Sequence, residues 1–376
     1  MADFPISLHK LQPKSQFSSH NVANLLTILL FSLLELLAGE KIIDLTFVGD
    51  AMQHGPQIRA AQRADGSYDY SSCFSLISDD IADADFALVN LECPLGGKPY
   101  SGYPCFSAPD DFAKHLQSVG FDFVATANNH CLDRRDAGLK RTIQYLDRIK
   151  MPHAGTYINA DARAEACPHI VDVDGMKMAI MCYTYGTNGI RAQGKVVVDY
   201  INREKMAADI ARAREAEADL ICVVLHWGTE YQLLPEKSQT DLADFLVKQG
   251  VDLIIGSHPH VVQPMEIRVN EDTGKRSLIV YSLGNFISNQ NGADSRGGAL
   301  VKVRISYSIF GKTSLKDASY RLFFCQKPKE KSDNYILIPQ ECEEKVRPDS
   351  KAAFKRFISR ATEIFDKHNI NVPRAK

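Results

Sequence analysis

None of the nine cysteines forms a Cys-x-x-Cys pair, so a zinc knuckle has no framework in this chain. No Gly-x-Gly-x-x-Gly or Gly-x-x-x-x-Gly-Lys loop follows a strand-like run, which argues against dinucleotide and P-loop nucleotide folds. Ser71, Ser72 and Ser257 stand outside any Gly-x-Ser-x-Gly elbow, so a serine hydrolase is poorly supported. Charge of one sign is also lacking. The net charge is −2, and no Lys/Arg run with interleaved aromatics occurs, so there is no footprint for nucleic acid. No internal repeat or low-complexity segment is visible.

What is present is the composition of a globular protein. Of 376 residues, 45% are apolar and 24% charged, enough for one large domain with a real core. The single long apolar run is Leu25–Gly39, interrupted only by Glu35. As a helix it would span roughly 22 Å, short of the roughly 30 Å hydrocarbon core, and its length suits a signal-peptide core or short anchor. Residues 1–40 are therefore expected to export the chain or tether it to the cell envelope. The alternative is a core helix of a cytosolic protein. In an exported protein, Cys93 and Cys105 could close the loop between them as a disulfide, and two free thiols are the equal alternative. Cys182 and Cys222 lie in apolar runs and read as buried hydrophobes.

From Lys41 onward, apolar β-rich runs alternate with amphipathic stretches. Strands are expected at Ile42–Val48, Phe86–Leu91, Phe121–Ala125, Met176–Tyr183, Leu220–Leu225, Leu253–Ile255, Leu278–Ser282 and Ala299–Ile305. Their continuous apolar character fits strands covered on both faces. Helices are expected at Asp111–Val119, Arg135–Lys150, Arg203–Ala216 and Lys237–Gln249, each with apolar residues three or four apart. The alternation predicts a layered α/β fold over residues 41–308. Residues 309–376 are more mixed, with a hairpin at Tyr320–Gln326 and Tyr335–Pro339 and a helix at Ser350–His368. They read as an extension packed on the domain.

Six polar motifs sit where strands end: FVGD at Asp50, LVNLE at Glu92, ATANNH at Asn128, Asn129 and His130, LHWGTE at His226 and Glu230, GSHPH at His258 and His260, and SLGNF at Asn285. Ligands of open α/β sheets bind outside the carboxyl ends of strands, so these residues are expected to share one site. Each also has a plainer reading: an Asp caps helices, Asn-Asn-His suits a tight turn, and a loop Glu is usually solvated. Taken together they form an oxygen-and-imidazole donor set suited to a divalent ion such as Mn, Fe or Zn. His-x-His in extended backbone would point both imidazoles to one face, with Pro259 keeping His258 extended.

In their order and spacing, these motifs resemble the CapA-type family of capsule and poly-γ-glutamate synthesis proteins, over about residues 41–307. That family is similar to calcineurin-like metallophosphoesterases. The resemblance implies a four-layer α/β/β/α sandwich with a small C-terminal appendage. It implies one or two divalent ions on Asp50, Glu92, Asn129, His226, His258 and His260, with His130 as the catalytic acid. His54, Asn128, Glu230 and Asn285 are candidates for the surrounding shell. It further implies a cell-envelope role beside capsule or poly-γ-glutamate synthase components, acting on an anionic polymer or a phosphate-containing substrate. The alternative is a non-catalytic subunit that organises the synthase. Two departures stand out: Met52 occupies the place of the His in the superfamily's Asp-x-His motif, with His54 two residues beyond, and Glu92 replaces a bridging Asp. One metal position is therefore expected to be weakened.

Overall fold

The computed structural model describes residues 40–271, 273–308 and 312–375. The N-terminal apolar stretch expected as a signal or anchor lies outside these residues. Among the described residues no helix is long and apolar enough to cross a membrane.

The strands are β1 (Lys41–Ala51), β2 (Phe86–Leu91), β3 (Phe123–Ala125), β4 (His153–Ala154), β5 (Thr156–Tyr157), β6 (His169–Val173), β7 (Met176–Thr184), β8 (Val197–Val198), β9 (Leu220–His226), β10 (Leu253–Ser257), β11 (Val262–Val269), β12 (Arg276–Leu283), β13 (Asn285–Ile287), β14 (Gly297–Tyr307), β15 (Thr313–Gln326) and β16 (Ile336–Pro339). The helices are α1 (Gly55–Ala61), α2 (Ser71–Phe74), α3 (Ser78–Ala82), α4 (Asp110–Val119), α5 (Arg135–Arg148), α6 (Ala160–Ala166), α7 (Arg203–Glu215), α8 (Lys237–Lys248) and α9 (Lys351–His368).

Two sheets stack face to face. The first runs β16-β15-β14-β1-β2-β3-β4, with β13 also paired to β1; the second runs β11-β12-β10-β9-β7-β6. Strand alternation explains the layering. On β7, Met176, Met178, Ile180 and Cys182 enter the core between the sheets. Their neighbours Ala179, Met181 and Tyr183 point outward to the apolar stripes of α7 and α8. On the far side, Val48, Val89 and Val124 of the first sheet meet Phe74, Phe112, Leu116 and Leu146 from the helices there. This is the four-layer α/β/β/α arrangement, and the both-face burial is why these strands read as unbroken apolar runs.

The described residues after β14 continue the first sheet and its core. β15 pairs with β14 along its length, and β16 pairs with β15 through Phe323–Pro339. Phe354, Phe357, Ala361 and Phe365 of α9 fill the inter-sheet core. The tail beyond α9 then bridges the two sheets, because the amide of Ile267 donates to Ile370 and that of Tyr320 to Pro373.

The chain crosses from the second sheet to the first between β12 and β13. Gly284, at φ 70°, makes the turn, and its carbonyl accepts from the amide of Asp50 at 3.0 Å. Gly49 lies against it so closely that a Cβ there would stand 1.9 Å from the Gly284 oxygen. The two sheets therefore converge at the strand ends that carry the six motifs.

Candidate metal centre

The parallel strands of each sheet deliver their C-terminal ends to this convergence. Asp50 comes from the end of β1, Glu92 directly follows β2, and Asn128, Asn129 and His130 follow β3. From the second sheet, His226 ends β9, and His258 and His260 follow β10. All of these side chains are buried, with exposures of 0–4%. The expected metal ligands are thus brought together, three from each sheet.

Glu92 is the centre of the arrangement. Glu92, His226 and His258 form one group of donor atoms all within 4.8 Å of one another, and Asp50, Glu92 and His260 form a second. Glu92 belongs to both, at 3.6 Å from His226 Nε2 and 3.7 Å from His260 Nε2. Asn129 Oδ1 adds an oxygen donor beside the first group, 3.0 Å from His226 Nε2.

The donor set fits a divalent cation on two counts. Both Glu92 oxygens and His258 Nδ1 are buried with no hydrogen-bond partner, and unpartnered buried polar atoms are costly. Burial, reinforced by the neighbouring Asp50 carboxylate, pushes Glu92 well above the usual carboxylate range. Burial also opposes ionisation of Asp50, but the hydrogen bond from His260, the charges of His260 and His226 and the Asn90 amide override it and hold this carboxyl below its usual range. Burial, and next the charge of His258, depress His226. Burial likewise lowers His258, to about 3, so His226 and His258 favour the neutral form that a ligand needs.

The surrounding side chains fix each donor. Asn90 donates to Asp50 Oδ1 at 2.7 Å. Ser257 Oγ lies 3.0 Å from His226 Nδ1, which leaves Nε2 directed at Asn129 and Glu92. Asn285 Oδ1 receives His260 Nδ1 at 3.0 Å, and Asn128 Oδ1 accepts the His130 amide at 3.1 Å. Asp133 Oδ2 takes His130 Nδ1 at 2.8 Å and fixes the tautomer, so that Nε2 is the free nitrogen. Asn90, Asp133 and Ser257 were not expected as site residues. The signals were the Asn two residues before Glu92, the Asp three residues after His130, and the Ser directly before His258.

The structure corrects two expectations. The strand ends at Ser257, and His258 and His260 stand at φ 99° and 58°, so strand alternation is not what points both imidazoles inward. The left-handed turn is held because Asp50 Oδ2 accepts the His258 amide and the Pro259 carbonyl accepts the Tyr231 amide, which outweighs the extended preference before proline. Second, His54 does not replace the missing histidine; it caps α1, its amide donating to Gln57 Oε1 at 2.9 Å, and it belongs to none of the donor groups. Of the two alternatives for Cys93 and Cys105 the structure has the free thiols, the former buried and the latter exposed. Cys182 and Cys222 are buried, as expected.

His54 carries a pH signature of its own. Burial depresses its pKa to about 4, against a partial opposing effect of Gln57. The unfolded chain takes up this proton near the ordinary pKa of about 6.5. Below that pH the unfolded state binds more protons, so stability falls as pH drops from about 6.5 to 4, by roughly 1.4 kcal/mol per unit for one such group. Chemical denaturation at stepped pH should show His54→Gln with a shallower acid limb than the parent; parallel limbs would refute the assignment.

Exposed aromatic rings border the site. Tyr185 lies 4.5 Å from the His258 ring and Tyr231 6.1 Å from the His260 ring. Phe106 meets His130 edge-on at 4.6 Å, and Tyr103 lies on Phe106.

A family model described as bacterial capsule synthesis protein PGA_cap matches residues 44–290. The capsule biosynthesis protein CapA of Bacillus anthracis is 28% identical over 276 residues, covering 70% of this chain and 64% of that protein. The PGA biosynthesis protein CapA of Bacillus subtilis strain 168 is 26% identical over 289 residues, covering 73% and 70%. Among solved structures, the NAD nucleotidase of Haemophilus influenzae superposes with a TM-score of 0.48 at 11% identity, covering 86% of this chain and 63% of that one. Well over half of the chain, including every strand end that carries a donor, falls within the matched span, and the chain belongs to the bacterial capsule synthesis protein family PGA_cap.

Proposed function

We propose that this protein is a metal-dependent hydrolase-type component of bacterial capsule or poly-γ-glutamate assembly, exported or membrane-tethered through residues 1–40. The observation that carries the reading is Glu92: a fully buried carboxylate with both oxygens unpartnered, shared by two donor groups. Uncompensated, it would only cost stability; as a donor to a divalent cation it would have a purpose. The names of the CapA relatives supply the capsule and polymer context.

Divalent ions in this donor set would supply Lewis-acid polarisation of a phosphoryl or amide centre and of an attacking water. The protein's own groups do the rest. Asp133 holds the Nδ1 proton of His130 and orients its ring; in its doubly protonated form His130 would deliver the Nε2 proton to the leaving atom and return to the neutral Nδ1-H form. Asn90 and Ser257 fix Asp50 and His226 so that no donor reorients during reaction. The exposed rings of Tyr185 and Tyr231 lie beside His258 and His260, where they could pack against a bound substrate.

A phosphodiester reporter with Mn²⁺ tests the reaction class. His130→Ala should lower turnover by about 10²–10⁴-fold while leaving bound metal unchanged. Equal, background rates in both proteins would favour the second reading, a non-catalytic subunit that organises a synthase. Met52 supports that reading, because it lies in the apolar cluster of the helical layer instead of adding a donor. A reporter fused after Gly39 tests export, and a cytosolic signal would count against it.

A further inference from the structure

The first strand supplies the centre with one donor only. Beyond Asp50, Ala51 and Met52 are buried in the apolar cluster on the helical side, and His54 is committed to capping α1. The group of Asp50, Glu92 and His260 is correspondingly short of a ligand. On its solvent side lies a carboxylate from another element. After β9 the chain turns at Gly228, φ 81°, and again at Tyr231, φ 66°. The Tyr231 amide donates to the Pro259 carbonyl at 2.8 Å, which fastens this loop to the His258–Pro259–His260 turn. Glu230 is thereby held where one carboxylate oxygen and one nitrogen from each of His258 and His260 all lie within 4.8 Å of one another. It is the one exposed member of the three donor groups.

We propose that Glu230 is a metal ligand that closes the centre from the solvent side and makes up for the donor missing at Met52. The inference rests on the metal-centre reading. Its independent support is that Nδ1 of His258, a member of the same donor group, is buried with no partner in the protein. A buried imidazole left without a partner, with an exposed carboxylate fastened beside it, is the donor arrangement of a cation site. An exposed ligand on a short loop also differs in kind from the six buried ones: it can leave without opening the core, and so governs exchange of the ion and entry of a substrate oxygen.

The test uses the full chain, stripped with chelator and dialysed against graded Mn²⁺, with bound metal measured by elemental analysis and the Mn²⁺ signal by electron paramagnetic resonance. Glu230→Ala should weaken binding at one site by at least about tenfold and alter the resonance spectrum, while the unfolding temperature of the metal-free protein stays at the parent value. Parent-like affinity and spectrum in Glu230→Ala would overturn the inference and leave the buried centre standing. Absence of Mn²⁺ binding by the parent protein would overturn the centre itself.

Discussion

Replacing His258 and His260 together by alanine is expected to abolish divalent metal binding and, with it, turnover. The two imidazoles serve both donor groups that share Glu92, so their loss leaves neither group with more than two of its three members. Binding should weaken on the order of a thousandfold or more, about 4 kcal/mol or beyond, and phosphodiester turnover should fall to background. The fold should persist. The turn is held by the His258 amide to Asp50 and by the Tyr231 amide to Pro259, and backbone amides survive an alanine substitution. Elemental analysis after Mn²⁺ loading and a reporter assay give the two readings. Metal retained at the parent's stoichiometry by the double variant would refute the assignment of these histidines.

Gly49→Ala is expected to be the most damaging single methyl in the described chain near the site. The added carbon would stand 1.9 Å from the Gly284 oxygen and 3.0 Å from its carbonyl carbon, both backbone atoms, so no side chain can rotate away. Relief requires parting β1 from the β12–β13 crossover, which breaks the bond between the Asp50 amide and the Gly284 carbonyl. A loss on the order of 4 kcal/mol follows, at the upper end for single substitutions. Asp50 is the next residue, so the fraction that still folds should bind Mn²⁺ poorly. Denaturant midpoints and metal titration of the same sample measure both effects. An unchanged midpoint would show that the crossover is looser than its contacts imply.

The strands that carry the site were legible because burial on both faces leaves continuous apolar runs; Phe86–Leu91 is found over its expected span. Strands of another composition were missed. His169–Val173 is half-exposed along its length. Of Thr313–Gln326 only the second half was read, as one arm of a hairpin, because the strand begins polar and turns apolar as it enters the core. Val262–Val269 contains Pro264 and forms a sheet edge, where proline is tolerated. In the site, the legible residues were those whose types are themselves donors. Asn90, Asp133 and Ser257 act through a neighbour's ring or carboxylate, and only the spatial arrangement reveals that. The paired histidines reach the site by a geometry other than the expected one: the period-two argument presumed a strand, and tertiary hydrogen bonds impose a left-handed turn instead.

The even division of donors between the sheets has a consequence apart from chemistry. Asp50, Glu92 and Asn129 belong to one half of the sandwich and His226, His258 and His260 to the other. An ion held among them would be a clasp at one end of the seam, while the C-terminal tail joins the two sheets through Ile370 and Pro373. Metal loading should therefore be legible mechanically: slower hydrogen exchange at the amides of Asp50 and Trp227, with little change at the tail. A protein loaded in one compartment and emptied in another would carry that history as a difference in how tightly its two halves are shut.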